Sequence, residues 1–137
     1  MKSLIIAFFC TLSLNAQNIK SEGTHFIDGV KDKKWSNSNG NNFTNASFSD
    51  FSGSCYVNIE VDKTTEVSFQ TLTILSKGKL ELKLIDEQEN NYFLCKTSKV
   101  CEVQKDIILE KGKKYRLYFT GENAKGKYNV EWNIKNL

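Results

Sequence analysis

Cys55-Tyr56-Val57-Asn58-Ile59-Glu60-Val61 decides how this chain is read. Cys55, Val57, Ile59 and Val61 fall on one side of an extended backbone, and Tyr56, Asn58 and Glu60 on the other. Strict period-two alternation marks a β-strand with one face in a core and one toward water. The pattern returns toward the C-terminus. Asp62-Lys63-Thr64 reads as a turn, after which Val67 and Phe69 share one phase and Leu72 and Ile74 the opposite one. That change predicts a β-bulge near Gln70-Thr71 or, alternatively, a strand apolar on both faces. Ser76-Lys77-Gly78 reads as the next turn, and Leu80, Leu82 and Leu84 then alternate with Glu81, Lys83 and Ile85. Past the polar loop Asp86 to Asn91, Tyr92 to Cys95 and Val100 to Val103 read as a short hairpin and Asp106 to Leu109 as a further strand. Tyr115, Leu117 and Phe119 alternate, Gly121 to Gly126 reads as a loop, and Tyr128, Val130, Trp132 and Ile134 share one face of a last strand. That loop predicts antiparallel pairing of the last two strands, with Trp132 in the core.

Toward the N-terminus, Phe43, Asn45 and Ser47 open another strand, and Thr24 to Val30 supplies one more. Lys31 to Asn42 is polar and reads as a long exposed loop around Trp35. No stretch keeps helical spacing over three turns. Short strands punctuated by turn signals every ~8–12 residues indicate a sandwich or closed barrel, and without helical crossovers the strands must be mainly antiparallel. The fold class expected is all-β: an antiparallel, jelly-roll-like β-sandwich of about eight to nine strands.

The first residues are of a different kind. Lys2 precedes the apolar run Leu4 to Leu14, and Asn15-Ala16-Gln17 follows. A basic start, a short apolar segment and a small residue at the cut make a secretory signal peptide. The run falls short of the ~20 residues a membrane span needs. The expected organisation is therefore a signal peptide over residues 1–16 and a single domain over residues 17–137, secreted or periplasmic. Cys10 follows Phe8 and Phe9 inside the run instead of closing it, which fits a lipid-anchor signal poorly.

Composition excludes several functions. The net charge is only +3, the lysines are spread along the chain, and Arg116 is the sole arginine. Bidentate phosphate or base recognition is thus poorly supplied, and no nucleic acid is expected as a partner. The richness in Lys and Asn, with no Pro, resembles the coding habit of AT-rich bacteria. His25 is the one histidine and has no nucleophile motif beside it, so no catalytic residue is assigned and the protein is read as not an enzyme. No Cys-x-x-Cys spacing occurs, and the acidic sets Glu60, Asp62, Glu66 and Asp86, Glu87, Glu89 lack the regular spacing of a calcium loop. No metal and no cofactor is expected. Cys95 and Cys101 flank a tight turn at a spacing that suits a disulfide, while Cys55 shares the core phase and reads as a buried free thiol.

Leu109-x-x-Gly112-x-x-Tyr115-x-Leu117, followed by Gly126-x-Tyr128-x-Val130-x-Trp132, resembles the last hairpin of bacterial pre-peptidase C-terminal domains and of related jelly-roll modules appended to secreted enzymes. Gly78 to Asp86 resembles an inner strand of that family. The resemblance spans residues 78–134 and implies a β-sandwich with an accessory role. The chain lacks the acidic pair often found in that inner strand, so calcium binding does not carry over.

Tyr56, Tyr118 and Trp35 fall on polar phases or in a loop, which makes them the candidate ligand-binding residues. Exposed rings offer a sugar a large apolar face at little entropic cost. The function expected is a secreted, non-enzymatic binding or accessory module, with carbohydrate as the candidate ligand. The alternative is a protein-interaction factor, adhesin- or inhibitor-like, that recognises a partner through a sheet edge. Secreted material is expected to begin at Gln17. N-terminal sequencing or intact mass checks this, and a lipid on Cys10 would overturn it.

Overall fold

The computed structural model describes residues 19–27 and 34–135. The signal-peptide segment, the cleavage point after Ala16 and Cys10 lie outside the described residues, as do Lys31 and Lys33. Among the described residues every regular element is a strand: β1 (Ile19–Ser21), β2 (His25–Phe26), β3 (Ser36–Gly40), β4 (Phe43–Val61), β5 (Thr65–Asp86), β6 (Asn91–Thr97), β7 (Val100–Leu109) and β8 (Tyr115–Ile134). All pairings are antiparallel, and the fold is an antiparallel β-sandwich.

Three strands are far longer than the turn signals implied: β4 has 19 residues, β5 has 22 and β8 has 20. Each is bent in the middle, and the bends coincide. The register between β4 and β8 shifts between Phe48 and Gly53, and that between β5 and β8 between Leu75 and Lys79. The strand halves on either side form two layers. In the first, β3, residues 43–48, residues 126–134, residues 65–75 and β7 lie side by side. In the second, β1 and β2 flank residues 53–61, followed by residues 115–121, residues 79–86 and β6. The layers face each other across a shared core. Phe119 stacks on Tyr128 with ring centroids 4.0 Å apart, and Phe69 meets Phe93 at 5.6 Å.

The parity of the buried positions switches at each bend. In β4 the inward residues are Thr44, Ala46 and Phe48, then Cys55, Val57, Ile59 and Val61. In β5 they are Val67, Phe69, Thr71, Thr73 and Leu75, then Leu80, Leu82 and Leu84. In β8 they are Tyr115, Leu117 and Phe119, then Tyr128, Val130 and Trp132. Residues inserted at a bulge let a strand turn a corner and keep its apolar side inward. Two glycines make the close approach possible. Gly78 has φ +73°, and a Cβ there would run into the carbonyl of Asn123. Gly126 has φ +153°, and a Cβ would meet the carbonyl of Ile74.

Several sequence expectations are corrected by this architecture. Ser76-Lys77-Gly78 and Gly121 to Gly126 are not a turn and a loop but the bends of β5 and β8. Residues 115–119 and 128–134 therefore do not pair with each other. They are one strand, and each half pairs with β4 and β5. Of the two readings of Gln70-Thr71, the bulge gives way to the alternative: no register shift occurs there, and with Leu72 and Ile74 pointing outward this half of β5 is apolar on both faces. The polar segment before residue 42 is not one long loop, because β3 pairs with β4 there. Of Thr24 to Val30, only His25–Phe26 is strand among the described residues.

The ends of the sandwich are closed by side chains. β6 and β7 pair with different halves of β5 instead of with each other, so their connection crosses from one layer to the other. The Cys95–Cys101 disulfide, with Cα atoms 6.2 Å apart, ties these two edges. Cys55 is free and buried. Trp132 is fully buried and donates its indole N–H to the carbonyl of Asn41 at 2.8 Å. Trp35 is half-buried and covers the bend of β4, stacked on Phe48 at 5.7 Å and edge-on to Phe51 at 5.1 Å.

Trp132→Ala is expected to destabilise the protein by roughly 3–5 kcal/mol, the usual cost of emptying an aromatic core site. A tryptophan in a loop would cost under ~1 kcal/mol, whereas the packing of Trp35 raises Trp35→Ala to roughly 1–3 kcal/mol. Denaturant unfolding of both variants checks the order. A larger loss at Trp35 would contradict the packing described.

Candidate functional site

The two outward faces differ in chemistry. On the first layer, pairing register sets two neighbouring rows across five strands: Ser38, Asn45, Asn129, Leu72 and Glu102, beside Ser36, Ser47, Lys127, Ile74 and Val100. Between them lies a cleft of about 450 Å³. A smaller hollow of about 270 Å³, lined by Gln70, Glu102, Gln104 and Glu131, shares Leu72 and Asn129 with it, and the two form one furrow. Leu72 and Ile74 make an apolar floor, still 38% and 39% exposed. Hydroxyls and carboxamides stand along the walls, Lys127 at one end and the two carboxylates at the other. A concave apolar floor with a few convergent polar groups is the usual form of a small-ligand site. The phase change at Leu72 and Ile74 was the signal for this face in the sequence, but the same change is produced by a bulge.

On the second layer the register aligns His25, Tyr56, Tyr118, Lys83 and Leu94 in one row. The rings of His25 and Tyr56 stack at 5.2 Å, and those of Tyr56 and Tyr118 at 6.1 Å. The guanidinium of Arg116 lies 4.3 Å from the centre of the Tyr56 ring, and the Lys83 ammonium 5.5 Å from that of Tyr118. The aromatic faces are thus turned toward one another and toward cations. Of the three aromatic residues singled out in the sequence, Tyr56 and Tyr118 are brought together. Trp35 is not with them, because Phe26, Phe48, Phe51 and Tyr128 surround its ring.

His25 faces Glu22 at 3.4 Å on the outer face of this layer. Cys55 lies on the inner face, where its thiol is 3.9 Å from the Tyr128 hydroxyl and is pushed up to about 12 by burial. Histidine and thiol thus lie on opposite sides of one sheet. Among the described residues, no group of three or more His, Cys, Asp or Glu is placed to hold a metal ion. No helix among them is long and apolar enough to cross a membrane.

Asp86, read from the sequence as part of a solvated loop, is buried at the end of β5. Its carboxylate accepts from the Tyr92 hydroxyl at 2.7 Å, the Asn90 side chain at 3.0 Å, and the backbone N–H groups of Gln88 and Asn90 at 2.9 and 3.0 Å. Lys113 stands 3.6 Å away. Hydrogen bonds, that from Tyr92 foremost, hold this carboxyl well below the usual carboxylate range.

No protein-family model matches the sequence, and no curated protein is similar to it at the sequence level. The resemblance to pre-peptidase C-terminal domains therefore has no family-level support. Solved structures are similar in fold. The K1 cleaved adhesin domain of Lys-gingipain from Porphyromonas gingivalis W83 matches with a TM-score of 0.51 at 12% identity, covering 87% of this chain and 98% of that one. A family 4 carbohydrate-binding module matches with a TM-score of 0.47 at 8% identity, over 80% of each chain. A carbohydrate-binding module of Cellvibrio mixtus lichenase 5A, in complex with cellotriose, matches at 0.41 and 10% identity, over 83% of this chain and 98% of that one. The likeness is one of fold.

A carboxyl whose folded pKa is depressed contributes stability above the ordinary carboxylate range and loses it as pH falls below that range. Stability is therefore expected to decline in acid below about pH 4, and Asp86→Asn to lower the melting temperature at neutral pH while flattening that acid decline. Thermal melts across this range check it. A wild-type melting temperature in the variant would show that the network adds nothing.

Proposed function

We propose that the protein is a secreted, non-enzymatic binding module that holds a neutral glycan in the furrow on the outer face of the first layer. The furrow itself is the observation that supports this reading: an aliphatic floor, Leu72 and Ile74, set among the serines and asparagines of β3, β4 and β8. A sugar ring has an apolar face and a rim of hydroxyls, and it needs both kinds of surface together. Carboxamides can donate to and accept from a hydroxyl at once. The placement of His25 and the buried Cys55 thiol on opposite faces of the sheet supports a binding role over a catalytic one. Secretion is supported by the apolar N-terminal run and by the Cys95–Cys101 disulfide, since disulfides persist in oxidising compartments. Tyr56 and Tyr118 belong to the proposal as ligand contacts of the opposite face, and Trp35 as the side chain that braces the bend.

A second reading is recognition of a protein partner along β7. Val100 and Ile108 on that strand are 59% and 61% exposed, and an open strand edge can pair with an extended peptide.

A glycan array with the purified protein, followed by titration calorimetry of the best neutral oligosaccharide, separates the two. Leu72→Asp and Asn129→Ala are expected to weaken that binding about tenfold or more while leaving the fold intact by circular dichroism, because both residues are exposed. An array without a neutral glycan, or undiminished binding by both variants, would sink the furrow as a glycan site.

A further inference from the structure

We infer that the outer face of the second layer is a separate site for a polyhydroxylated carboxylate, the uronic acid unit of a glycan, with Arg116 as its anchor. Arg116 is exposed, and no carboxylate among the described residues lies within ion-pair distance of it. Its neighbours on the face are differently placed. Lys83 faces Glu81 at 3.9 Å, and His25 faces Glu22 at 3.4 Å. The guanidinium instead rests against the Tyr56 ring at 4.3 Å. Among the described residues none accepts a hydrogen bond from the guanidinium N–H groups, so its donors are available to a ligand. A guanidinium edge matches a carboxylate with two parallel hydrogen bonds, and a group already held against a ring loses less freedom on binding.

The surroundings select the kind of acid. Arg116 lines a hollow of about 470 Å³ with Tyr118, Lys114, Ile85, Glu87 and Glu89. Asp86, which also lines it, is occupied by its own loop. Glu87 accepts from the backbone N–H of Lys114 at 3.3 Å, and Glu89 is exposed. These two carboxylates oppose a chain of closely spaced negative charges. They suit a ligand that offers one carboxylate to Arg116 and hydroxyl donors to its neighbours. A uronate within an otherwise neutral oligosaccharide has that composition, whereas a sulfated polysaccharide or an acidic peptide does not.

Titration calorimetry with a xylo-oligosaccharide bearing one glucuronate tests this. The unsubstituted oligomer, an oligosaccharide sulfate and a tetraglutamate peptide serve as the comparison ligands. In a Leu72→Asp background, where the furrow is weakened, the glucuronate-bearing oligomer is expected to bind at least ~10-fold more tightly than any of them. Arg116→Gln is expected to weaken it ~10-fold or more, and Arg116→Lys by an intermediate factor, because a lysine keeps the charge and loses the fork. Lys63→Gln removes one positive charge from the exposed β4–β5 turn and is expected to change nothing. Equal binding by Arg116→Gln, equal affinity for the sulfate or the peptide, or no binding of the glucuronate oligomer would each overturn the inference. Leu72→Asp reports the furrow and Arg116→Gln reports this face, so either reading can fail alone.

Discussion

The sandwich depends on one geometric constraint: β4, β5 and β8 must bend along the same line. Three strands of about twenty residues, paired side by side, would make a single open sheet with one apolar face toward water. Folding that sheet over itself buries the face, but side chains alternate with a period of two. Each strand must therefore add residues at the corner to keep its apolar positions inward. The three parity switches, at Phe48 to Gly53, Leu75 to Lys79 and Gly121 to Gly126, meet this requirement together. The backbones of β5 and β8 come so close there that Gly78 and Gly126 have no room for a side chain.

A folded-over sheet leaves open ends, and its stability rests on how they are sealed. Trp35 covers the bend beside Phe48 and Phe51. The disulfide ties β6 to β7, the free edges of opposite layers. Asp86 fixes the β5–β6 connection by accepting from its own loop and from Tyr92. The burial of Asp86 illustrates the general rule that a charge leaves water only when hydrogen bonds replace those it gives up. With the inner faces committed to the core, ligand chemistry is confined to the two outer faces and the edges.

Those outer faces divide the candidate sites by chemistry. One is a furrow with an aliphatic floor and neutral hydrogen-bonding walls. The other is a row of phenols and cations in which rings stack on their neighbours and the one arginine has no acidic partner among the described residues. Both arise from the same register, since residues directly opposite on paired strands stand side by side on a face. Tyr56 and Tyr118 meet for that reason alone, sixty-two positions apart in the chain and neighbours across β4 and β8.

The sequence by itself determined that the protein is all-β and antiparallel, and which residues face inward through Cys55 to Val61, Leu80 to Leu84 and Tyr128 to Trp132. Alternation is local, so it is legible wherever a strand is apolar on one side only. It also marked Tyr56 and Tyr118 as outward and Cys95 and Cys101 as a pair. It failed where one local pattern has two physical causes. Glycine with polar residues reads as a turn, yet at Gly78 and from Gly121 to Gly126 it is a corner in a continuous strand. Leu72 and Ile74 out of phase read as a bulge or as a strand apolar on both faces, and the local pattern left that choice open. Trp35 among serines and asparagines reads as exposed, yet the bend of β4 comes up beneath it. Only the tertiary structure decided these, because each depends on what another strand places opposite, and partners distant in the chain leave no trace in the local pattern.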